Sequence, residues 1–278
     1  MSVCVVYREL LEEGKHVLAQ AEIVDAECDA WLLLEHVSGM NRAQFFLHQQ
    51  DTVPDELEAD YRGMLRKRAE HIPLQHLTGT QEFMGLEFQV SPDVLIPRQD
   101  TELLVEKLLP HIQGKRVLDV CTGSGCIAIS LAVLGKPEQM DAVDLSEKAL
   151  IQAGKNAKRL GADVSFYRSD MLDEINGRYD VIVSNPPYIE KAVIETLQTE
   201  VKDYEPRIAL DGGEDGLVFY RRIAETAHNF LKKGGLLAFE IGYNQGESVR
   251  GLMQNDFYDT EVIKDLNDND RVVIGKLK

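Results

Sequence analysis

Arg116-Val117-Leu118-Asp119-Val120-Cys121-Thr122-Gly123-Ser124-Gly125 opens on a short apolar strand, turns through two glycines and hands over to a helix beginning near Cys126. Glycine lets backbone approach a ligand closely, and a helix start offers unpaired N–H groups with a partial positive charge. The stretch predicts a cradle of the nucleotide-binding type. Its specificity is moderate, because Gly123-x-Gly125-x-x-Ala128 with Asp144 downstream also satisfies the dinucleotide fingerprint. Outward from it, apolar runs at residues 139–143, 164–167, 180–183 and 236–240 alternate with helical patterns, which predicts a mostly parallel sheet with helices on both faces. Two final runs, near 259–263 and 271–275, are joined by Asn267-Asp268-Asn269-Asp270 with no helix between them, so they should pair antiparallel at the sheet edge.

In such sheets ligands lie beyond the carboxyl ends of the strands. Asp144 ends the second strand, where a carboxylate accepts both hydroxyl hydrogens of a ribose; the competing role is a helix cap, which Ser146-Glu147 already serves in part. Asp170 follows the third strand and could accept from an adenine amino group, with Met171 packed on the ring; capping or plain exposure are its alternatives.

Ser184-Asn185-Pro186-Pro187-Tyr188 follows the fourth strand. Two consecutive prolines fix φ, remove two donors and push the preceding residues toward extended geometry, so a rigid projecting loop is expected. Its carbonyls are free to accept, Asn185 adds a side-chain acceptor, and Tyr188 offers a flat face for stacking. An amide or exocyclic NH2 has two hydrogens in a plane and a delocalised lone pair, which makes it a poor nucleophile. Two acceptors, Asn185 Oδ1 and the Pro186 carbonyl, can hold and polarise it in line with a departing sulfonium methyl. Positioning and electrostatics supply the catalysis, with no metal or strong base. Glutamine and adenine remain equal candidates at this point.

Upstream, the first seventy or so residues read as helices, with Trp31-Leu32-Leu33-Leu34 and the series Leu57, Tyr61, Leu65 as apolar faces. Pro54, Asp55 and Glu56 suit a helix start, and Lys67 with Arg68 suit its end. Between the two halves, Leu86, Phe88 and Val90 alternate with Glu87 and Gln89, and Ser91-Pro92-Asp93 breaks the run before Val94-Leu95-Ile96; this predicts a hairpin. The expected division is a helical domain at 1–72, a hairpin linker at 73–97 and an α/β domain at 98–278.

The 278 residues carry a formal charge of -17. Seven basic residues oppose 17 acidic ones up to residue 97, and 23 oppose 30 beyond it. A broad nucleic-acid surface needs clustered Lys and Arg and is disfavoured; the charge fits a solvated surface or a basic protein partner. No segment approaches the roughly 20 apolar residues of a membrane span, and no export signal precedes the helices. Cys4, Cys28, Cys121 and Cys126 form no CxxC pair, which suits a reducing cytoplasm and small buried side chains. His71 and His76 have no cysteines nearby, so no metal site is expected.

Several further segments carry a resemblance: Pro73-Leu74-Gln75-His76-Leu77-Thr78-Gly79, Phe83-Met84-Gly85-Leu86-Glu87-Phe88, Leu95-Ile96-Pro97-Arg98, Asn185-Pro186-Pro187-Tyr188, and Glu205-Pro206-Arg207 through Asp215-Gly216-Leu217. Over nearly its whole length the chain resembles the PrmC/HemK family of protein-glutamine N5-methyltransferases. The resemblance implies a Rossmann-like class I S-adenosylmethionine-dependent methyltransferase sheet with an antiparallel C-terminal edge strand, preceded by a small helical domain and a hairpin. It implies S-adenosylmethionine as cofactor, S-adenosylhomocysteine as product, and the Gly-Gly-Gln glutamine of peptide chain release factors as acceptor. Thr122, Gly123, Ser124, Gly125, Asp144, Met171 and Asn185 would contact the cofactor, and Asn185 to Tyr188 would hold the glutamine. Two departures stand out: Cys121 replaces the first glycine of the family's cradle, and Gln99 a common proline. The rival readings are an adenine-N6 methyltransferase, a nicotinamide-dependent dehydrogenase and a binding module without turnover. The helical domain with the hairpin is the expected docking surface for the release factor.

Overall fold

The switch from helices to alternating strands divides the computed structural model, which describes residues 5–278, into two units. One runs up to Gly79 and recruits Thr199–Tyr204; the other comprises Thr80–Gln198 and Glu205–Lys278. This division falls at Gly79 where 72 and 97 were expected, because a further short helix, Leu74–Thr78, belongs with the helices before it.

The first unit is built on helices Tyr7–Gln20, Ala26–Ser38, Arg42–His48 and Asp55–Ala69. Pro54 caps the last of these in extended geometry, with Asp55, Glu56 and Glu58 in its first turn and Arg66, Lys67 and Arg68 in its last. Asn41 accepts from the Gln44 N–H and Gln44 returns the bond, a reciprocal cap. Leu10, Leu18, Leu33, Leu34, Tyr61 and Leu65 form the core. Gly14 is required there: a Cβ would sit 2.1 Å from Tyr61 Oη, which donates to the Ala30 carbonyl. Arg68 is buried between Asp29 and Glu200, each 2.7 Å away, so it does more than complement a helix end. The Glu200 contact, with the Tyr204 hydroxyl donating to the Glu70 carbonyl, explains why Thr199–Tyr204 joins this unit.

In the second unit the hairpin pairs β1 (Thr80–Phe83) with β2 (Leu86–Gln89). The strand expected at 94–96 is instead irregular, so the partner of 86–89 lies before it and not after. Met84 and Gly85, at φ 53 and 71, make the two-residue turn, while Pro92 interrupts the chain that follows.

The seven-stranded sheet comprises β3 (Arg116–Val120), β4 (Gln139–Asp144), β5 (Ser165–Arg168), β6 (Tyr179–Ser184), β7 (Leu231–Glu240), β8 (Phe257–Lys264) and β9 (Asp270–Leu277). Its order is β5-β4-β3-β6-β7-β9-β8, parallel from β5 to β7, with β9 antiparallel to both its neighbours. Alternate residues face two cores: Leu118, Ile182, Leu237 and Phe239 enter one, and Val117, Val181, Val183 and Ala238 the other. Burial on both faces is why these strands read as nearly continuous apolar runs. The chain runs from β3 outward to β4 and β5 and then crosses back to β6 on the other side of β3, so the direction of winding reverses there, and in such sheets ligands lie at the carboxyl ends of the strands flanking that point.

Candidate active site

Cys121, Thr122, Gly123 and Ser124 from the end of β3, Asp144 from β4, Asp170 and Met171 after β5, and Asn185 and Pro187 after β6 line one cleft. Gly125, Pro186 and Tyr188, named with them from the sequence, are not among the lining residues.

The cradle turns through three left-handed residues, Cys121, Gly123 and Gly125, at φ 63, 55 and 82. Cys121 thus occupies a conformation in which glycine is unstrained and most side chains are not. At Gly125 a Cβ would meet Ile129 Cδ1 at 2.8 Å and Ala153 Cβ at 3.0 Å, so this glycine lets two helices close on the loop. Cys126–Gly135 starts immediately after it. Asn156, wholly buried, locks the cradle to the hairpin: its Nδ2 donates to the Ser124 and Gln89 carbonyls at 2.9 and 3.0 Å, and its Oδ1 accepts from the Gln89 N–H. Beneath the loop, the Thr122 hydroxyl donates to Asp119, whose burial pushes it up to about 7.

Asp144 accepts from the backbone on two sides. Oδ2 accepts from the Gly123 N–H at 2.9 Å and Oδ1 from the Ser146 N–H at 2.8 Å, so it shapes the cradle and the start of the next helix. Ser146 Oγ caps that helix through the Ala149 N–H. An ionised carboxylate has about four acceptor positions, so two backbone bonds leave capacity for a ligand hydroxyl. Asp170 is half exposed and pairs with Arg222 at 3.2 Å, a partner that competes with any ligand amine. Met171 is buried at φ 53.

On the acceptor side, the Ser184 hydroxyl donates to the Val120 carbonyl at 2.6 Å and ties the end of β6 to the end of β3. Asn185 Nδ2 donates to Thr101 Oγ1 at 3.3 Å, which leaves Oδ1 as the amide atom to serve an incoming donor. Behind the prolines the backbone of Tyr188 is tightly enclosed. Cβ atoms at Gly212 and Gly216 would fall 2.7 Å from its Cα and 2.4 Å from its carbonyl oxygen, and Gln245 Nε2 donates to that oxygen at 3.1 Å. The Tyr188 ring packs against the core, with its hydroxyl 3.5 Å from Glu240 Oε1, and burial raises its pKa. It lies outside the cleft lining, where a stacking face was expected.

Residues 9–79 match the PrmC N-terminal domain and residues 98–203 the methyltransferase small domain. A release factor glutamine methyltransferase of Geobacter sulfurreducens is 42% identical over 275 residues, covering 97% of this chain and 96% of that protein. The chain belongs to the release factor glutamine methyltransferase family. Further members from Bacillus anthracis and Agrobacterium fabrum are 40% and 39% identical, over 89% and 95% of this chain and 91% and 95% of theirs. The fold is shared with a Pyrococcus furiosus methyltransferase, with a TM-score of 0.54 at 18% identity over 70% of this chain and 90% of that one. It is shared too with the T. thermophilus 16S rRNA N2 G1207 methyltransferase, with a TM-score of 0.53 at 19% identity over 72% of this chain and 50% of that one.

As a member of this family the protein is an S-adenosylmethionine-dependent methyltransferase, and the cleft fits that cofactor. The space over Gly123 is open, Asp144 retains acceptor capacity, and Leu145, 45% exposed, lends an apolar face to the lining. Among the described residues no group of three or more His, Cys, Asp or Glu side chains is placed to hold a metal ion.

Several lining residues of this family member escaped reading from periodicity. Pro97, Arg98 and Thr101 come from a strap before the sheet, and Pro206, Ile208 and Phe219 from the segments beyond the prolines. Glu205 holds the strap by accepting from the Ile96 N–H at 3.2 Å and pairing with Arg98. The only sequence signal for these residues was the set of resemblance segments around them. Gln99 is exposed and opens the short turn Gln99–Thr101 that delivers Thr101, so no proline is needed there. Of the cysteines, Cys126 is buried, Cys121 half-buried and Cys28 exposed, the last against expectation; Cys4 lies outside the described residues.

Proposed function

We propose that this enzyme transfers the methyl group of S-adenosylmethionine to N5, the side-chain amide nitrogen, of the glutamine in the Gly-Gly-Gln motif of peptide chain release factors. The observation that carries the reading is the orientation of Asn185: its NH2 faces Thr101, so its oxygen is left to accept at the cleft, and the carbonyl of Pro186, the next residue in the chain, is taken as the second acceptor. S-adenosylmethionine brings an electrophilic methyl group. Asn185 Oδ1 and the Pro186 carbonyl would accept hydrogen bonds from the two amide hydrogens, which fixes the direction in which the nitrogen faces and raises its electron density; once methylated, the nitrogen would give up one of those hydrogens to water. Well-aligned positioning of this kind is worth roughly 7 to 11 kcal/mol. Pro187 and the packed Tyr188 keep the loop rigid, so little reorganisation accompanies the reaction.

On the cofactor side, Thr122, Gly123, Ser124 and Gly125 present backbone to the methionine portion, with Cys121 at the base of the loop. Asp144 accepts from ribose hydroxyls. Met171 walls the adenine site, and Asp170 takes the amino group only if Arg222 yields it. The helical unit docks the release factor, an assignment supported by Phe46 and Leu47, 65% and 80% exposed on Arg42–His48. The net charge of -17 speaks against nucleic acid as the direct substrate. The enzyme works in the cytoplasm, where release factors are found; no described helix is long and apolar enough to cross a membrane.

The test is methyl transfer from labelled cofactor to a purified release factor and, in parallel, to nucleic acid. Label on the release factor alone is the expected outcome, and label on nucleic acid alone would refute the reading in favour of an adenine-N6 enzyme. Calorimetry adds a check on the cofactor: S-adenosylhomocysteine should bind and NAD should not.

A further inference from the structure

An amide side chain flipped about its last bond exchanges acceptor for donor with almost no change in shape, so a site that needs Asn185 Oδ1 must prevent the flip. Thr101 alone does not, because a hydroxyl accepts from NH2 or donates to C=O equally well. Thr101 is itself 2% exposed.

A buried carboxylate lies next to both side chains. Glu240 ends β7 one position beyond Phe239, which pairs with Ser184, and so stands laterally beside Asn185. It is 2% exposed, and the Thr101 hydroxyl and the Asn185 amide both bear on its carboxylate and favour the charged form. Neither forms a well-aligned bond to Oε2, which is buried without a hydrogen-bond partner among the described residues. Glu240 does not line the cleft, so it acts only through its neighbours.

We propose that Glu240, together with Thr101, is the positioning residue that selects the productive orientation of the Asn185 amide. A carboxylate only accepts. Facing one, the Thr101 hydroxyl gives up its hydrogen and turns its lone pairs to Asn185, and the Asn185 NH2 is drawn to the same side. Oδ1 is left toward the cleft. A reversed amide would put its oxygen against the carboxylate oxygens and turn only hydrogens toward the substrate NH2. The inference rests on the amide-holding role of Asn185 given above.

The charged and titratable neighbours of Glu240 are few. Arg271 from β9 supplies the favourable charge, and it is shared with Asp100 and Asp265, each 3.1 Å from Arg271. The Tyr188 hydroxyl approaches Oε1, and the Tyr220 hydroxyl donates to the Glu240 backbone carbonyl at 2.8 Å. Burial, with the like charge of Asp100 adding to it, outweighs the contacts with Thr101, Arg271 and Asn185 and lifts Glu240 to about 7. The carboxylate is therefore present above that value and lost as pH falls through it, and the orienting effect goes with it.

The experiment compares the full-length wild type with Glu240→Gln, Thr101→Val and Thr101→Ser, using a release factor and S-adenosylmethionine. It reads kcat, the KM of the protein, S-adenosylhomocysteine affinity by calorimetry, and kcat against pH. Glu240→Gln and Thr101→Val are expected to lower kcat on the order of 100-fold. KM and S-adenosylhomocysteine affinity should stay within about threefold of wild type. Thr101→Ser, which restores the hydroxyl, should retain most of the activity. Wild-type kcat should fall as pH drops through about 7, and Glu240→Gln should lack that limb. Equal kcat in Glu240→Gln and wild type, an acid limb shared by both, or Thr101→Ser as impaired as Thr101→Val would overturn the proposal. Should Glu240→Gln fail to fold, the contrast between Thr101→Val and Thr101→Ser decides alone. A wild type inactive on release factors would instead contradict the acceptor assignment, so the two failures are distinguishable.

Discussion

The cofactor cradle and the acceptor loop lie at neighbouring strand ends but are held in place in opposite ways. The cradle is shaped chiefly by its own backbone, with three left-handed residues within Cys121 to Gly125, and two side chains steady it: Asp144, bonded to the Gly123 and Ser146 N–H groups, and Asn156, which donates to the Ser124 carbonyl. The acceptor loop gets its form from two prolines and its support from distant parts of the chain. Thr101, Gly212, Gly216, Glu240 and Gln245 all converge on Asn185 and Tyr188. A loop that must bind tightly can be specified locally, whereas a loop that must aim one oxygen needs walls from several elements.

The contrast sets where substitutions should act. The largest effect is expected at Asn185: replacement by alanine should lower kcat about 100- to 1,000-fold, the range for losing one preorganised polar group. S-adenosylhomocysteine affinity should change only a few-fold, and steady-state kinetics with calorimetry separates the two. Asp144→Ala should do the reverse. Losing one hydrogen bond to a charged acceptor, at about 1.5 to 3 kcal/mol, should weaken cofactor binding about 10- to 100-fold. A cofactor affinity unchanged by Asp144→Ala would remove the distinction between the regions.

A smaller effect concerns stability against pH. Glu240 and Asp119 are both lifted to about 7 by burial, above the usual carboxylate range. A group whose folded pKa is raised contributes stability that is full below its unfolded pKa and is lost as pH rises through the folded value. Thermal melting should therefore show stability falling between about pH 4.5 and 7, by of order 1 to 3 kcal/mol per group. Glu240→Gln should flatten part of that slope. The smallest effect is expected at Arg222, half exposed beside Asp170; alanine there should cost within about 1 kcal/mol of stability by denaturant titration.

The same contrast explains what the sequence made legible. β3, the glycine loop and the helix at Cys126 were readable because strand, turn and helix signals are adjacent in the chain. The central strands β3, β4, β6 and the second half of β7 were readable because burial on both faces leaves nearly unbroken apolar runs. Asn185 to Tyr188 announced a rigid acceptor loop, yet Thr101 is 84 residues away in sequence, and nothing near it marks its partner. Periodicity also misassembled the hairpin, since Val94, Leu95 and Ile96 look like a strand while the true partner, Thr80–Phe83, is largely polar. Arg68 was legible as a helix-terminal cation but not as a buried bridge to Glu200, a residue from the far side of the catalytic segments.

The most direct measurement is mass analysis of a release factor after incubation with the enzyme and S-adenosylmethionine, followed by fragmentation to locate the added group. The expected result is one methyl group on the side-chain amide nitrogen of the Gly-Gly-Gln glutamine, absent when Asn185→Ala replaces the wild type. A methyl group on another residue, or an unmodified release factor in the presence of a cofactor-binding wild-type enzyme, would contradict it.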